Sequence, residues 1–154
     1  MPEYILATTE QDYKIAAELF TEYANWLKID LCFQNFNEEL KQLKNMYAPN
    51  KGGIVLCKID DKFIGCSAIR KIDDEICELK RMWVNPGFQQ KGIGEKLLQE
   101  CIKIANQLHY KLIRLDTLQR LEPAIKLYIK YGFVIIKPYY KNPNTDVVYM
   151  QKEL

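Results

Sequence analysis

Three runs rich in β-branched and aromatic residues, 54–59, 63–71 and 76–84, are separated only by short turns at the acidic pairs Asp60-Asp61 and Asp73-Asp74. Turns this tight join neighbouring strands antiparallel, because a parallel crossover needs a dozen or more residues. The middle of the chain is therefore an antiparallel meander, which argues against a doubly wound parallel sheet.

The flanks carry the helices. Over residues 11–28, Ile15, Ala16, Leu19, Phe20, Tyr23, Trp26 and Leu27 recur at spacings of three and four, the pattern of an amphipathic helix. A weaker pattern over residues 37–46, capped by Asn37 before Glu38 and Glu39, predicts a second helix that Pro49 and Gly52-Gly53 close off. Beyond the meander, the pattern predicts a helix over 92–108, a strand over 112–116 and a helix over 123–131 with Pro123 in its first turn and Gly132 past its end. Strands over 133–136 and 147–151 follow, joined by a Pro- and Asn-rich loop. This order implies an α/β (α+β) architecture in one domain over residues 1–154: a single mixed, mostly antiparallel sheet flanked by helices on both faces.

The formal net charge is +2, and the lysines are scattered among acidic residues, so nucleic acid is not an expected partner. No apolar run approaches the ~20 residues that span a bilayer, and Met1 to Leu6 lack the basic and apolar regions of a signal peptide. No membrane partner and a cytoplasmic location are expected. Cys32, Cys57, Cys66, Cys77 and Cys101 are odd in number, lack Cys-x-x-Cys spacing and mostly sit in apolar runs; they read as reduced, buried thiols, and no metal site is expected. The sole histidine, His109, lies near a helix end, where it reads as structural.

The strand 76–84 runs through Asn85-Pro86-Gly87-Phe88 into Gln89-Gln90-Lys91-Gly92-Ile93-Gly94, where a helix begins. Two glycines let backbone N–H groups approach an anion that the helix dipole favours, and Gln89, Gln90 and Lys91 add side-chain donors. A pyrophosphate suits such a loop; the alternative is glycines that merely permit a tight turn. The Walker pattern is absent. A dinucleotide fingerprint would use Asp116 at the end of the next strand, but Leu97 stands where its third glycine or alanine belongs.

Val84-x-Pro86 followed by Gln89-x-x-Gly92-x-Gly94 resembles the acyl-CoA-binding motif of the GNAT superfamily of N-acetyltransferases, usually Gln/Arg-x-x-Gly-x-Gly/Ala. The segment Ala124-Ile125-Lys126-Leu127-Tyr128, ending at Gly132-Phe133, is similar to that superfamily's second signature, Ala-x-x-Leu-Tyr-x-x-x-Gly-Phe. The chain departs from the common pattern at Gln89-Gln90, where many members have Arg-Gly, and at Leu121, where many have Asn. The resemblance implies acetyl-CoA as cofactor, held by Met82, Trp83, Val84, Gln89, Gln90, Lys91, Gly92, Ile93, Gly94 and Glu95. It also implies an amine acceptor, a small molecule or a peptide, with acetyl transfer occurring directly in a ternary complex.

Amide formation needs a neutral amine, a proton acceptor and an acid for the departing thiolate. The resemblance gives Glu78 the base role and Tyr128 the acid role; the plainer alternatives are a strand-face salt bridge and a core tyrosine. Strand alternation places Glu78, Lys80, Met82 and Val84 on one face. The acceptor is expected between the first two helices and the loop 138–146, with Asp30, Phe33, Phe36, Tyr139 and Tyr140 as liners and Asp116 with Thr117 at the end of the neighbouring strand. A homodimer through the last strands is compatible with their position as exposed edges. Two other readings remain open: a non-catalytic acyl-CoA sensor and a nucleotide-dependent oxidoreductase.

Overall fold

The computed structural model describes residues 1–31 and 35–154. The meander forms β2 (Gly53–Ile59), β3 (Lys62–Lys71) and β4 (Ile76–Val84), paired antiparallel in sequence order. Asp60 and Asp61 both take positive φ, 47° and 66°, the backbone that lets a two-residue turn follow the twist of its strands. At the second turn the Asp73 carboxylate accepts the N–H groups of Glu75 and Ile76, at 2.8 and 2.9 Å.

Helix α1 (Glu10–Leu27) starts with a reciprocal cap in which the Thr9 hydroxyl accepts the Asp12 N–H and the Asp12 carboxylate accepts the Thr9 N–H. It buries Tyr13, Ala16, Leu19 and Phe20 against the sheet. Helix α4 (Ile93–Gln107) covers β2, β3 and β4 from the other face through Leu97, Leu98, Cys101 and Ala105. The chain continues through β5 (Leu112–Leu118), α5 (Glu122–Lys130), β6 (Val134–Ile136) and β7 (Val147–Glu153).

Two elements differ from expectation. Glu3–Leu6 forms a strand, β1, antiparallel to β2 at the sheet edge; at four residues it is too short for periodicity to announce it. The expected second helix is broken at Gln42 into α2 (Phe36–Lys41) and α3 (Leu43–Met46), its apolar positions being too sparse to hold one continuous stripe. Among the described residues the sheet has seven strands in the order β1-β2-β3-β4-β5-β7-β6, of which only β4 and β5 pair parallel. That arrangement is the mixed, mostly antiparallel sheet expected, and it lacks the doubly wound parallel frame that an oxidoreductase reading would require.

A β-bulge interrupts β4. Arg81 sits at φ 58°, and the pairing with β3 shifts between Cys66↔Trp83 and Ala68↔Lys80, so that two residues oppose Ser67. The extra residue reverses the alternation. Leu79 packs in the α4-side core, yet Trp83 packs in the α1-side core, and Met82 and Val84 join the α4 side. The expectation that Glu78, Lys80, Met82 and Val84 share a face is corrected accordingly: the first two and the last two point to opposite sides.

Candidate active site

Strands β4 and β5 pair only over Ile76↔Leu112, Cys77↔Ile113 and Glu78↔Arg114, after which they part. β4 continues to Val84 and β5 to Leu118, and between them opens a cleft of about 500 Å³. It is lined by Leu79 to Val84, by Leu115 to Leu118, by Tyr23 and Trp26 of α1 and by Ala124, Leu127 and Tyr128 of α5. The bulge bends β4 where the gap begins.

One end of the cleft is the glycine loop. Asn85 takes the Gly87 N–H at 3.0 Å, Pro86–Phe88 makes one tight turn, and Gln90 and Gly92 adopt left-handed φ of 63° and 79°. Gly92 is the N-cap of α4 and supplies no side-chain cap, so the first-turn N–H groups lack acceptors of their own. A Cβ built on Gly92 meets nothing within 4 Å; the space beside it is open. Unsatisfied donors, a helix N-terminus and open volume fit a pyrophosphate.

The expected cofactor residues divide here. Gly92, Gly94, Gln90, Met82 and Val84 line the cleft, while the Lys91 ammonium lies 5.6 Å from the Phe88 ring centre. The Gln89 side chain also lines it but folds back to donate to the Val84 carbonyl at 3.0 Å, bracing the loop. Ile93 is buried in the core and can offer only its backbone. Glu95 also lines the cleft, while its carboxylate accepts the Tyr131 hydroxyl at 3.0 Å and pairs with Lys130, tying α4 to α5. Trp83 lines the cleft from the α1 side, and its buried indole N–H has no partner among the described residues.

The α1 side is polar and mostly paired. Arg81 grips Glu39 with two hydrogen bonds, 3.0 and 2.8 Å, over the Phe36 ring at 5.2 Å, and Tyr47 donates to the same carboxylate at 2.9 Å. Burial would raise the Glu39 pKa, but Arg81 outweighs it and holds the carboxyl below the usual range. This clamp fastens α2 to the bulge. The sequence marked Glu39 only as part of an acidic first turn and did not mark Arg81, since a left-handed arginine leaves no signature.

Glu78 is 2% exposed and does not line the cleft. Its Oε1 meets Arg70 at 2.8 Å and Lys80 at 3.7 Å, and its Oε2 accepts the Tyr139 hydroxyl at 2.6 Å. Burial alone would raise its pKa; Lys80, Arg70 and the Tyr139 hydrogen bond together bring it below the ordinary value. Lys80 does line the cleft, and burial with nearby Arg81 lowers its pKa against the pull of Glu78, Glu39 and Asp116. Asp116 lines the cleft two residues past the last β4–β5 rung, and burial raises its carboxyl above the ordinary range despite Lys80 and a hydrogen bond from Tyr140. Tyr128 reaches the gap from α5, its hydroxyl 4.0 Å from the Met82 sulfur, and burial pushes its phenol up.

Of the expected acceptor liners, Asp116 is in the cleft and Phe36 lies beneath Arg81. Asp30 is exposed and does not line it, although Ile29 and Leu31 on either side do. Tyr139 and Tyr140 pack with Tyr149, ring centres 5.4–5.5 Å apart, and turn their hydroxyls onto Glu78 and Asp116 instead of lining the cleft. Phe33 lies outside the described residues. Tyr23, Trp26, Asn142 and Asn144 line the space in their stead.

A gap between two parting parallel strands, ending at a glycine anion cradle, defines the class of acyl-CoA-dependent acyltransferases. Residues 13–133 match the family described as acetyltransferase (GNAT), and the chain belongs to that family. It is 37% identical over 146 residues to an uncharacterized N-acetyltransferase of Schizosaccharomyces pombe, covering 93% of this chain and 87% of the relative. An acetyltransferase structure from Streptococcus agalactiae superposes with a TM-score of 0.81 at 21% identity, covering 99% of this chain and 98% of that one. A GNAT family acetyltransferase from Elizabethkingia anophelis with acetyl-CoA bound superposes at 0.68 with 24% identity, covering 99% and 98%.

Proposed function

We propose that the protein transfers the acetyl group of acetyl-CoA to a primary amine, of a small molecule or a peptide, by direct transfer in a ternary complex. The observation that carries this reading is the through-passage: the gap between β4 and β5 joins the glycine cradle on the α4 side to the polar α1 side. Thioester and amine can meet in it from opposite faces. Bound acetyl-CoA supplies the activated acyl carbon. The backbone from Gln90 to Gly94 holds the pyrophosphate, and the unpaired edge of β4 at Met82 and Val84 receives the amide-bearing arm.

Tyr128 is the acid. A phenol is protonated at neutral pH, and the place of Tyr128 in the gap suits donation to a departing sulfur. Glu78 is fixed as an anion by Arg70, Lys80 and Tyr139, an arrangement that favours holding charge over taking a proton. We assign the protein to the cytoplasm, with which the buried, free Cys57, Cys66, Cys77 and Cys101 accord; no described helix is long and apolar enough to cross a membrane.

A thermal-shift comparison with acetyl-CoA, NADH and ATP tests the cofactor. Ligand at ~100 times its dissociation constant adds about 2.7 kcal/mol, a rise of roughly 5–10 °C for a domain of this size. Only acetyl-CoA should produce it, and thiol release over an amine panel then separates enzyme from sensor. No rise with saturating acetyl-CoA overturns the reading.

A further inference from the structure

We propose that Asp116 is the general base that takes the proton of the acceptor amine. This rests on the acetyl-transfer reading above. The strand geometry selects between the carboxylates of β4 and β5, the buried Glu78 and the half-buried Asp116. Glu78 stands on the last closed rung of the β4–β5 ladder, sealed by Tyr139 and outside the cleft lining. Asp116 stands two residues further along β5, where β4 has already turned away and the gap is open.

The two faces of the sheet assign the two proton roles. Tyr128 belongs to the α4-side core with Met82, whereas Arg81 and Trp83 present the α1 side. On β5, Ile113 and Leu115 pack into the α4-side core, and strand alternation turns Asp116 the other way. An amine entering from α1 thus meets Asp116 before the gap, and a sulfur held from the glycine-loop side meets Tyr128 beyond it. In the transfer, the C–N bond forms as the C–S bond breaks. The surplus amine proton passes to Asp116 and the departing sulfur takes the Tyr128 proton; the enzyme resets as Asp116 gives up its proton to solvent and the Tyr128 phenolate regains one.

The groups around Asp116 suit this role. From β4 it feels Lys80, Arg81 and Glu78; from the loop before β7, Tyr140, which donates to it, and Tyr139; from β7, Tyr149; from α1, Tyr23; and from α5, Tyr128. Lys80 lies 3.7 Å from Glu78, and burial with nearby Arg81 lowers its pKa against the pull of Glu78, Glu39 and Asp116. Tyr140 is a positioning residue, fixed in turn by Asn142 Nδ2 at 3.1 Å. Burial raises the Asp116 pKa, so the active anion forms only as pH rises past the ordinary aspartate range. Removing the Tyr140 hydrogen bond, which stabilises that anion, raises the value further.

Two measurements on the full chain test this. Infrared difference titration of wild type and D116N should show a carboxyl ionising above the ordinary aspartate range that only the variant lacks. Thiol release with acetyl-CoA and spermidine, glycine, glycylglycine or N-α-acetyllysine should fall about 10²–10⁴-fold in D116N, with the acetyl-CoA thermal shift kept. Y140F should move the acid limb of kcat/KM to higher pH; the amine's own ionisation gives a limb common to all variants. Asp116 ionising at or below the ordinary value, or full turnover in D116N, overturns the inference alone. A wild type that binds acetyl-CoA yet acetylates none of these amines overturns the transfer reading and this one with it. Should D116N fail to fold, the Y140F shift and the wild-type titration still decide.

Discussion

The two sides of the β4–β5 gap are built on opposite principles. On the α4 side, Gly92 caps a helix with no side chain, the first-turn N–H groups lack acceptors and a Cβ would find open space. On the α1 side, Arg81 has Glu39, Glu78 has Arg70 and Tyr139, and Asp116 has Tyr140. One side leaves its electrostatics for an anionic ligand to complete, and the other completes them internally. Disturbing the first should therefore cost affinity, and disturbing the second should cost stability or turnover.

The largest expected effect is at the residue between the two. Tyr128→Phe should lower kcat about 10²–10⁴-fold in a thiol-release assay with the acetyl-CoA dissociation constant unchanged; a shift in affinity with turnover intact would erase the distinction. Next, Glu39→Gln strands Arg81 in the interior and should cost about 3–5 kcal/mol, lowering Tm by on the order of 10 °C. The Glu39 pKa is depressed in the folded state, so the stability that it contributes is present above the ordinary glutamate range and is lost as pH falls through the lowered value. A urea-midpoint profile of the variant should lack that acid limb.

A smaller effect belongs to the open side. Gly92→Val forces a β-branched residue to φ 79°, a backbone cost of about 1–3 kcal/mol. It should appear as a roughly tenfold weaker acetyl-CoA complex in calorimetry, with a smaller loss of Tm than Glu39→Gln. The smallest is at the far edge, where Val134 and Ile135 of β6 are 60% and 69% exposed. If a second copy docks there, Ile135→Lys should convert a dimer to a monomer on gel filtration while changing stability by less than about 0.5 kcal/mol.

The open side was largely legible in the sequence and the closed side was not. A glycine pair at a helix start marked the loop from Gln89 to Gly94 as either a tight turn or an anion site, and the resemblance carried jointly with the segment Ala124 to Phe133 favoured the anion site. The meander was equally plain, since Asp60-Asp61 leaves room for nothing but a hairpin. The polar side depends on partners far apart in sequence, such as Glu39 with Arg81, and on an arginine whose left-handed backbone nothing local demands. Tyr139 and Tyr140 were visible as aromatics near the site, but the direction of their hydroxyls comes from packing with Tyr149.

The bulge at Arg81 lets β4 carry one residue more than β3 opposite Ser67 without changing the faces that Lys80 and Met82 present. Arg81→Gly would keep the left-handed backbone but leave the buried Glu39 carboxylate without its arginine. Deleting residue 81 would restore one-to-one pairing, with Met82 opposite Ser67, and would leave Met82 on the α4 side and Trp83 on the α1 side, where they already stand. What the extra residue supplies is therefore the bend beside the gap and the grip on Glu39, and not the choice of face.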